Sequence, residues 1–167
     1  MKQIVDQCNV TRPTFYRHFK DKYDLINWYF DVLAQMSFKQ MGISLTLREG
    51  LLKKFEFHQR EGQFFRSSIF SSESQNCLME YDYQCIYQFY CDIIHKQGVD
   101  KIPEELEFLL RMYCRGSIAM TVEWATTGMK MSPEQLADQL IDAMPPKLYD
   151  LFKDNIKITK CYTFDEV

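Results

Sequence analysis

Apolar residues recur along this chain at intervals of three and four, and the rhythm breaks at Asn, Gly and Pro. Ile4, Val5 and Cys8 make one short apolar face that stops at Asn9. Thr11 then stands where an N-cap belongs. Pro13 follows in the first turn, where its missing N–H does no harm, and Phe15, Tyr16 and Phe19 continue a second short helix. After the polar break Lys20-Asp21-Lys22, Asp24 begins a long segment with Leu25, Trp28, Tyr29, Val32 and Met36 at helical spacing, and Gly42 is the next stop. Residues 46–60 read as a helix with Leu47, Leu51, Leu52 and Phe55 inward, broken by Gly62. A short aromatic helix runs from Phe64 to Phe70, and a long one over 74–97 is closed by Gly98 at C′. Pro103 opens the next helix, with Glu104 and Glu105 in the turn where the dipole favours them, and it runs to about Gly128. Ser132 and Pro133 start another, which Pro145-Pro146 interrupts before it resumes through Phe152. From Asn155 the alternation of Ile156 and Ile158 with polar residues suits a short strand or an extended end. The pattern predicts an all-α fold without internal repeats.

Composition narrows the class. The chain has 167 residues, 46% hydrophobic and 26% charged, enough for a globular core with a small additional head. Six Gly and five Pro are too few for long linkers. No apolar run reaches the roughly 18–20 residues of a membrane span, no secretory leader pattern opens the sequence, and the expected location is the cytoplasm. The net charge of −3 gives no bulk attraction to polyanions, but it is unevenly spread. Residues 1–24 carry Lys2, Arg12, Arg17, Lys20 and Lys22 against Asp6, Asp21 and Asp24, a local +2 that leaves −5 on the remainder. A basic end on an acidic body suits a local nucleic-acid contact.

The chemistry of an enzyme is missing from the pattern. His18, His58 and His95 stand in no triad, metal or phosphate-loop arrangement, and there is no Gly-rich loop. Cys8, Cys77, Cys85, Cys91, Cys114 and Cys161 contain no Cys-x-x-Cys pair. They read as reduced core filler, with a redox sensor as the alternative. Neither a metal nor a cofactor is expected.

The informative stretch runs from Ile4 to Phe19: two short helices around a tight turn at Asn9, a residue that tolerates the left-handed backbone such a turn needs. Val10 pins the turn. Phe15 and Phe19, four apart, share an inward face, which leaves Arg12, Thr14, Arg17 and His18 elsewhere, and Tyr16 can offer its hydroxyl to a phosphate. A helix of about eight residues is roughly 12 Å long and fits the B-DNA major groove, about 12 Å wide.

The run Thr11-Arg12-Pro13-Thr14-Phe15-Tyr16-Arg17-His18-Phe19-Lys20-Asp21-Lys22-Tyr23-Asp24-Leu25 resembles the recognition helix and the start of the following long helix in the TetR family of transcription regulators. The body is similar to the group that includes regulators of dihydroxyacetone kinase operons. The resemblance implies a helix-turn-helix head over 1–30, an all-helical body for ligand sensing and dimerisation over 31–153, and a tail over 154–167. It implies that Arg12 and Thr14 face bases or adjoining phosphates, and that Pro13 makes apolar contact, as with a thymine methyl. Tyr16, His18 and Lys22 would hold phosphates, Thr11 would cap the helix beside one, and Arg17 would reach a groove wall. The family also places a helix ahead of the segment that starts here at Met1. That helix lies upstream through trimming or a late start codon, or it is truly lost. In the last case Ile4, Leu25 and Trp28 each forgo about 1.5–3 kcal/mol of burial and the head is loose.

In the body, Tyr83, Ile86, Tyr87, Tyr90 and Ile94 share a face of one long helix; Leu106, Leu110, Tyr113, Ser117, Met120 and Trp124 share a face of the next. Phe65, Tyr83, Tyr87, Tyr90, Tyr113, Ser117, Met120 and Trp124 are the candidate lining of an effector pocket, and equally the material of a plain core. Arg111, Arg115 and Glu123 are expected toward solvent or at a dimer seam. By resemblance, the last two helices, about 103–128 and 133–152, pair with their copies, which sets two heads one DNA turn apart, about 34 Å. The function expected is a ligand-responsive repressor that binds a palindromic site on double-stranded DNA as a homodimer, the ligand acting by a shift of the 24–40 helix. The alternative is an interaction protein whose head no longer binds DNA.

Overall fold

A computed structural model describes residues 2–70 and 72–156, with side chains placed for 2–66 and 78–153. Among the described residues the chain forms α-helices and no strand: α1 (Lys2–Gln7), α2 (Arg12–His18), α3 (Lys22–Met36), α4 (Leu47–Arg60), α5 (Gly62–Phe70), α6 (Ser72–Lys96), α7 (Glu104–Thr126), α8 (Pro133–Asp142) and α9 (Pro146–Ile156). A single 3-10 turn, Phe38–Gln40, follows α3. The long pair α6 and α7 carries the others: α3, α5 and α9 pack on α6, α5 and α9 also reach α7, and α4 lies along α8.

Local chemistry sets the boundaries. Thr46 accepts from the Glu49 N–H at 3.1 Å and the Glu49 carboxylate accepts from the Thr46 N–H at 2.9 Å, a reciprocal cap that starts α4. Ser132 and Gln135 repeat it at α8, with Pro133 buried in the first turn. Gly98 and Gly128 take left-handed φ of 83° and 95° beyond the ends of α6 and α7.

Three boundaries differ from the periodicity. The long helix expected to 40 stops at Met36, because the Ser37 hydroxyl donates to the Leu33 carbonyl at 2.8 Å and the chain tightens into the 3-10 turn. Gly62 opens α5 rather than only ending α4; it is buried, and an added Cβ would meet Met129 at 3.5 Å. Residues 155 and 156, expected in an extended end, complete α9. The rest of the expected tail, from 157, lies outside the described residues.

The core has two clusters. The larger collects Phe38, Met41 and Leu47 with Tyr90, Ile94, Leu110, Cys114, Leu148 and Phe152 between α4, α6, α7 and α9. The smaller joins Phe55, Leu78, Trp124, Leu136 and Leu140. Hydrogen bonds lock α7 onto its successors: the Tyr113 hydroxyl donates to the Leu140 carbonyl at 2.9 Å, and the Trp124 indole N–H to the Met131 carbonyl at 2.8 Å. Arg48 grips Asp138 with two N–H groups, at 2.6 and 3.0 Å, and ties α4 to α8 at the surface. Gly50 sits where α4 meets Met41; a Cβ there would stand 2.5 Å from the Met41 Cγ, so only a glycine lets that side chain lie flat.

Replacing the capping hydroxyl by Thr46→Ala or Ser132→Ala should lower stability by about 1 kcal/mol each, with an unchanged m-value in urea denaturation. A loss below about 0.3 kcal/mol at both positions is the result that contradicts this reading of the caps.

Candidate functional site

The turn between α1 and α2 is built on one residue. Asn9 has φ of 51°, and around it the Val10 N–H donates to the Val5 carbonyl at 3.0 Å and the Asn9 N–H to the Asp6 carbonyl at 3.3 Å. This pair of reversed bonds satisfies the last carbonyls of α1 and turns the chain sharply. Val10, expected to pin the turn inward, remains 40% exposed; the backbone bonds and buried Val5 do that work. Thr11 caps α2 by accepting from the Thr14 N–H at 3.3 Å, and its hydroxyl lies 2.9 Å from that of Thr14.

At about 100° per residue, Phe15 and Phe19 take the inner face of α2. Phe15 is buried, and Phe19 packs edge-on against Trp28 with ring centroids 5.7 Å apart. Pro13, Thr14 and Arg17 then lie opposite them, Arg12 and Tyr16 on one flank and His18 on the other. Arg12, Pro13, Arg17 and His18 are exposed, as is Tyr16 at 55%; Thr14 is half-buried. Lys22 is the first residue of α3, exposed, with its ammonium 4.7 Å over the Tyr23 ring. Asp21 fixes that helix start by accepting from the Tyr23 and Asp24 N–H groups at 2.7 and 2.9 Å. Among the described residues no carboxylate pairs with Arg12, Arg17 or Lys22. The arrangement therefore offers guanidinium, imidazole and phenol groups over the outer face and both flanks of a seven-residue helix about 10 Å long, with an ammonium at the start of α3, and a helix of this length fits the major groove.

The candidate effector residues divide. Tyr90, Tyr113 and Ser117 line a cavity of about 30 Å³ with Lys54, Phe55, Ile118 and Thr121. Phe65 lines a second of similar size with Phe30, His58, Leu78 and Asp82. Tyr83 faces an outer groove beneath Arg115, whose guanidinium sits 3.9 Å over its ring, and stacks on Tyr87. Trp124 is core, packed on Phe55. Met120 joins none of them. It is 50% exposed, because α7 turns its inward stripe through Tyr113, Ser117, Thr121 and Trp124 and sends Met120 to the outside.

The sequence reading missed the polar centre of the body. Lys54 is buried in α4, and its ammonium donates to both carboxylate oxygens of Asp82 on α6, at 3.1 and 2.9 Å. One turn on, the His58 Nδ1 lies 2.6 Å from the Lys54 carbonyl, which fixes Nδ1 as the donor and Nε2 as the acceptor, while the ring stacks on Phe65 at 3.8 Å. A signal existed: Lys54 and His58 fall on the same inward stripe as Leu47, Leu51 and Phe55. Burial, reinforced by the neighbouring Lys54 charge, pushes the His58 pKa down to about 4.

That shift has a sign. Folded His58 stays neutral while the unfolded imidazole titrates near its ordinary 6.5, so stability is full above that pH and falls as pH drops toward 4. Between pH 7 and pH 5 the wild type should lose about 2 kcal/mol more stability than His58→Gln, measured by urea denaturation. Parallel pH profiles for the two proteins would remove His58 as the titrating group.

Two family profiles match the chain. One, described as bacterial regulatory proteins of the tetR family, covers residues 1–28; the other, described as a transcriptional regulator C-terminal region, covers residues 46–145. No curated protein matches the sequence. Among the described residues no helix is long and apolar enough to cross a membrane. With an outward-facing basic recognition helix and matches over both the amino-terminal segment and most of the helical body, the chain belongs to the TetR family of DNA-binding transcriptional regulators.

Proposed function

We propose that the chain is a ligand-responsive repressor that binds a palindromic operator as a homodimer, with residues 1–30 as the DNA-reading head and 31–153 as the sensing and dimerising body. The observation that carries the DNA reading is the unpaired basic rim of Arg12, Arg17 and Lys22 beside the exposed Tyr16 and His18. Arg12 and Thr14 face base edges or the adjoining phosphates, and Pro13 meets a thymine methyl. Tyr16, His18 and Lys22 hold phosphates with Thr11 beside them, and Arg17 reaches a groove wall. The effector acts through the interior beside α3, the helix that begins at Lys22 and ends against the cavities of the body.

The dimer rests on a face of α7. Phe108, Met112 and Met120 are 65%, 60% and 50% exposed, and Gly116 and Ala119 lie between them at helical spacing. Such a stripe, with small residues where a second helix would approach, suits self-association about a two-fold axis. The segment 133–152 contributes less than its length suggests. Pro145-Pro146 splits it into α8 and α9, and Leu136, Leu140, Leu148 and Phe152 are spent inward, with Tyr149 left partly exposed.

The test of the DNA reading is a fluorescence anisotropy titration of the full-length gene product on the palindrome upstream of its own gene. Arg12→Ala should weaken binding by about 1–3 kcal/mol, and Lys22→Ala should reduce the slope of log K against log salt by about 1. Absence of binding even at low salt would favour the interaction-protein reading instead. For the dimer, Phe108→Glu with Met112→Glu should yield a monomer in sedimentation equilibrium while the far-ultraviolet circular dichroism stays helical. A persistent dimer rules out the α7 face.

A further inference from the structure

Three small cavities meet around the buried charges of the body. The first, about 20 Å³, is walled by Phe30, Leu33 and Phe38 from α3 and its 3-10 turn, and by Lys54, His58 and Asp82. The second and third, about 30 Å³ each, are those that contain Tyr113 and Phe65. They share walls: Phe38 and Lys54 divide the first from the second, Phe30, His58 and Asp82 the first from the third, and Ile118 and Thr121 the second from the third. With walls shared pairwise, the three are compartments of one chamber. Cys85 lines both this chamber and an outer groove between α3 and α6, which marks a way in from solvent.

Among the described residues, most of the strong donors in the chamber walls are already engaged. The hydroxyls of Ser37, Ser117 and Thr121 each donate to a carbonyl one turn back on their own helix, at 2.8, 2.7 and 2.7 Å. Two N–H groups of Lys54 go to Asp82. Among the described residues, one N–H of Lys54 and the bare Nε2 of His58 are left one helical turn apart, a donor and the one ring-nitrogen acceptor in the walls, while the hydroxyl and carboxylate oxygens keep lone pairs of their own. The charges of the described wall residues balance as well. Lys54 and Asp82 cancel and His58 is neutral, so an entering anion would oppose Asp82 and an entering cation would oppose Lys54 in a poorly solvated interior.

We propose that the effector is an uncharged organic molecule with an apolar body and an adjoining acceptor and donor, read by Lys54 and His58 respectively. The proposal rests on the ligand-responsive reading above and names its ligand class. Each compartment has room for a water molecule or two, so a ligand of six or more heavy atoms has to merge them. Merging displaces Phe30 and Phe38, which belong to α3 and the turn after it. The molecule is thereby sensed as a wedge between α3 and the α4–α6 pair.

Four probes of one size separate the possibilities at pH 7: benzamide, benzoate, benzylamine and toluene, titrated by calorimetry into the full chain. Benzamide should bind about tenfold or more tightly than either charged probe. His58→Leu should lose about tenfold in benzamide affinity with toluene binding unchanged, and His58→Gln, which restores an acceptor, should recover part of it. If His58→Leu fails to fold, the paired change Lys54→Met with Asp82→Leu, which leaves no bare charge, should abolish the preference for benzamide over toluene. Benzoate or benzylamine binding as tightly as benzamide, no benzamide binding, or a preference that survives these substitutions overturns the assignment. Operator anisotropy in the same samples keeps the two readings apart. Selective benzamide binding without effect on DNA sustains the chamber's specificity and defeats the ligand-responsive reading. Release from DNA by a charged molecule seated elsewhere does the reverse.

Discussion

A lysine ammonium inside an apolar helical core must be matched, because an unpaired charge there costs several kcal/mol. Lys54 is matched by Asp82, and that requirement organises the body. It fixes the rotation of α4 about its own axis and the height of α6 beside it. With α4 so placed, His58 falls one turn further along the same face, against Phe65 of α5, and Phe55 falls against Trp124 of α7. The pair also keeps the interior from closing completely. Ionic groups need room that aliphatic side chains would fill, and the compartments gather around them.

The amino-terminal end is governed by a different economy. It buries little: Phe15 and Val5 are its only buried hydrophobic side chains among the described residues up to Phe30. Its shape comes instead from backbone bonds and caps, the reversed pair at Asn9, the Thr11 cap and the Asp21 cap. These are local and short in sequence. A surface held this way depends on few residues, and its outward side chains take little part in holding it.

Much of this was legible in advance, for the same reason. Asn9, Thr11, Pro13, Ser132 and Gly98 act within a few residues of themselves, so their roles can be read without the fold, and the inward stripes followed from periodicity. What escaped was long-range or phase-dependent. The partner of Lys54 lies 28 residues away on another helix, and nothing in the local pattern names it. Met120 shares the spacing of Tyr113 and Trp124 but lies past the edge of their stripe, because seven residues fall about 20° short of two full turns and carry it beyond Tyr113 on the outer side. Gly62 looked only like a stop because a glycine ends helices more often than it opens them. The break after Met36 came from a serine hydroxyl bonding back to Leu33, a choice available to many serines and taken by few.

The glycine at position 50 has a mechanical meaning. By letting Met41 lie flat on α4, it fastens the far end of the α3 segment, together with Phe38, to the part of the body held rigid by the Lys54–Asp82 pair. The near end, at Lys22, is held by the local Asp21 cap and by Phe19 against Trp28, with Lys22 itself exposed. A rod hinged at one end moves most at the other: α3 has 15 residues, about 22 Å, so a tilt of about 5° carries Lys22 through about 2 Å. The absence of one methyl group thus sets the fulcrum, and it gives a small disturbance beside Phe30 and Phe38 its longest arm at the Lys22 end.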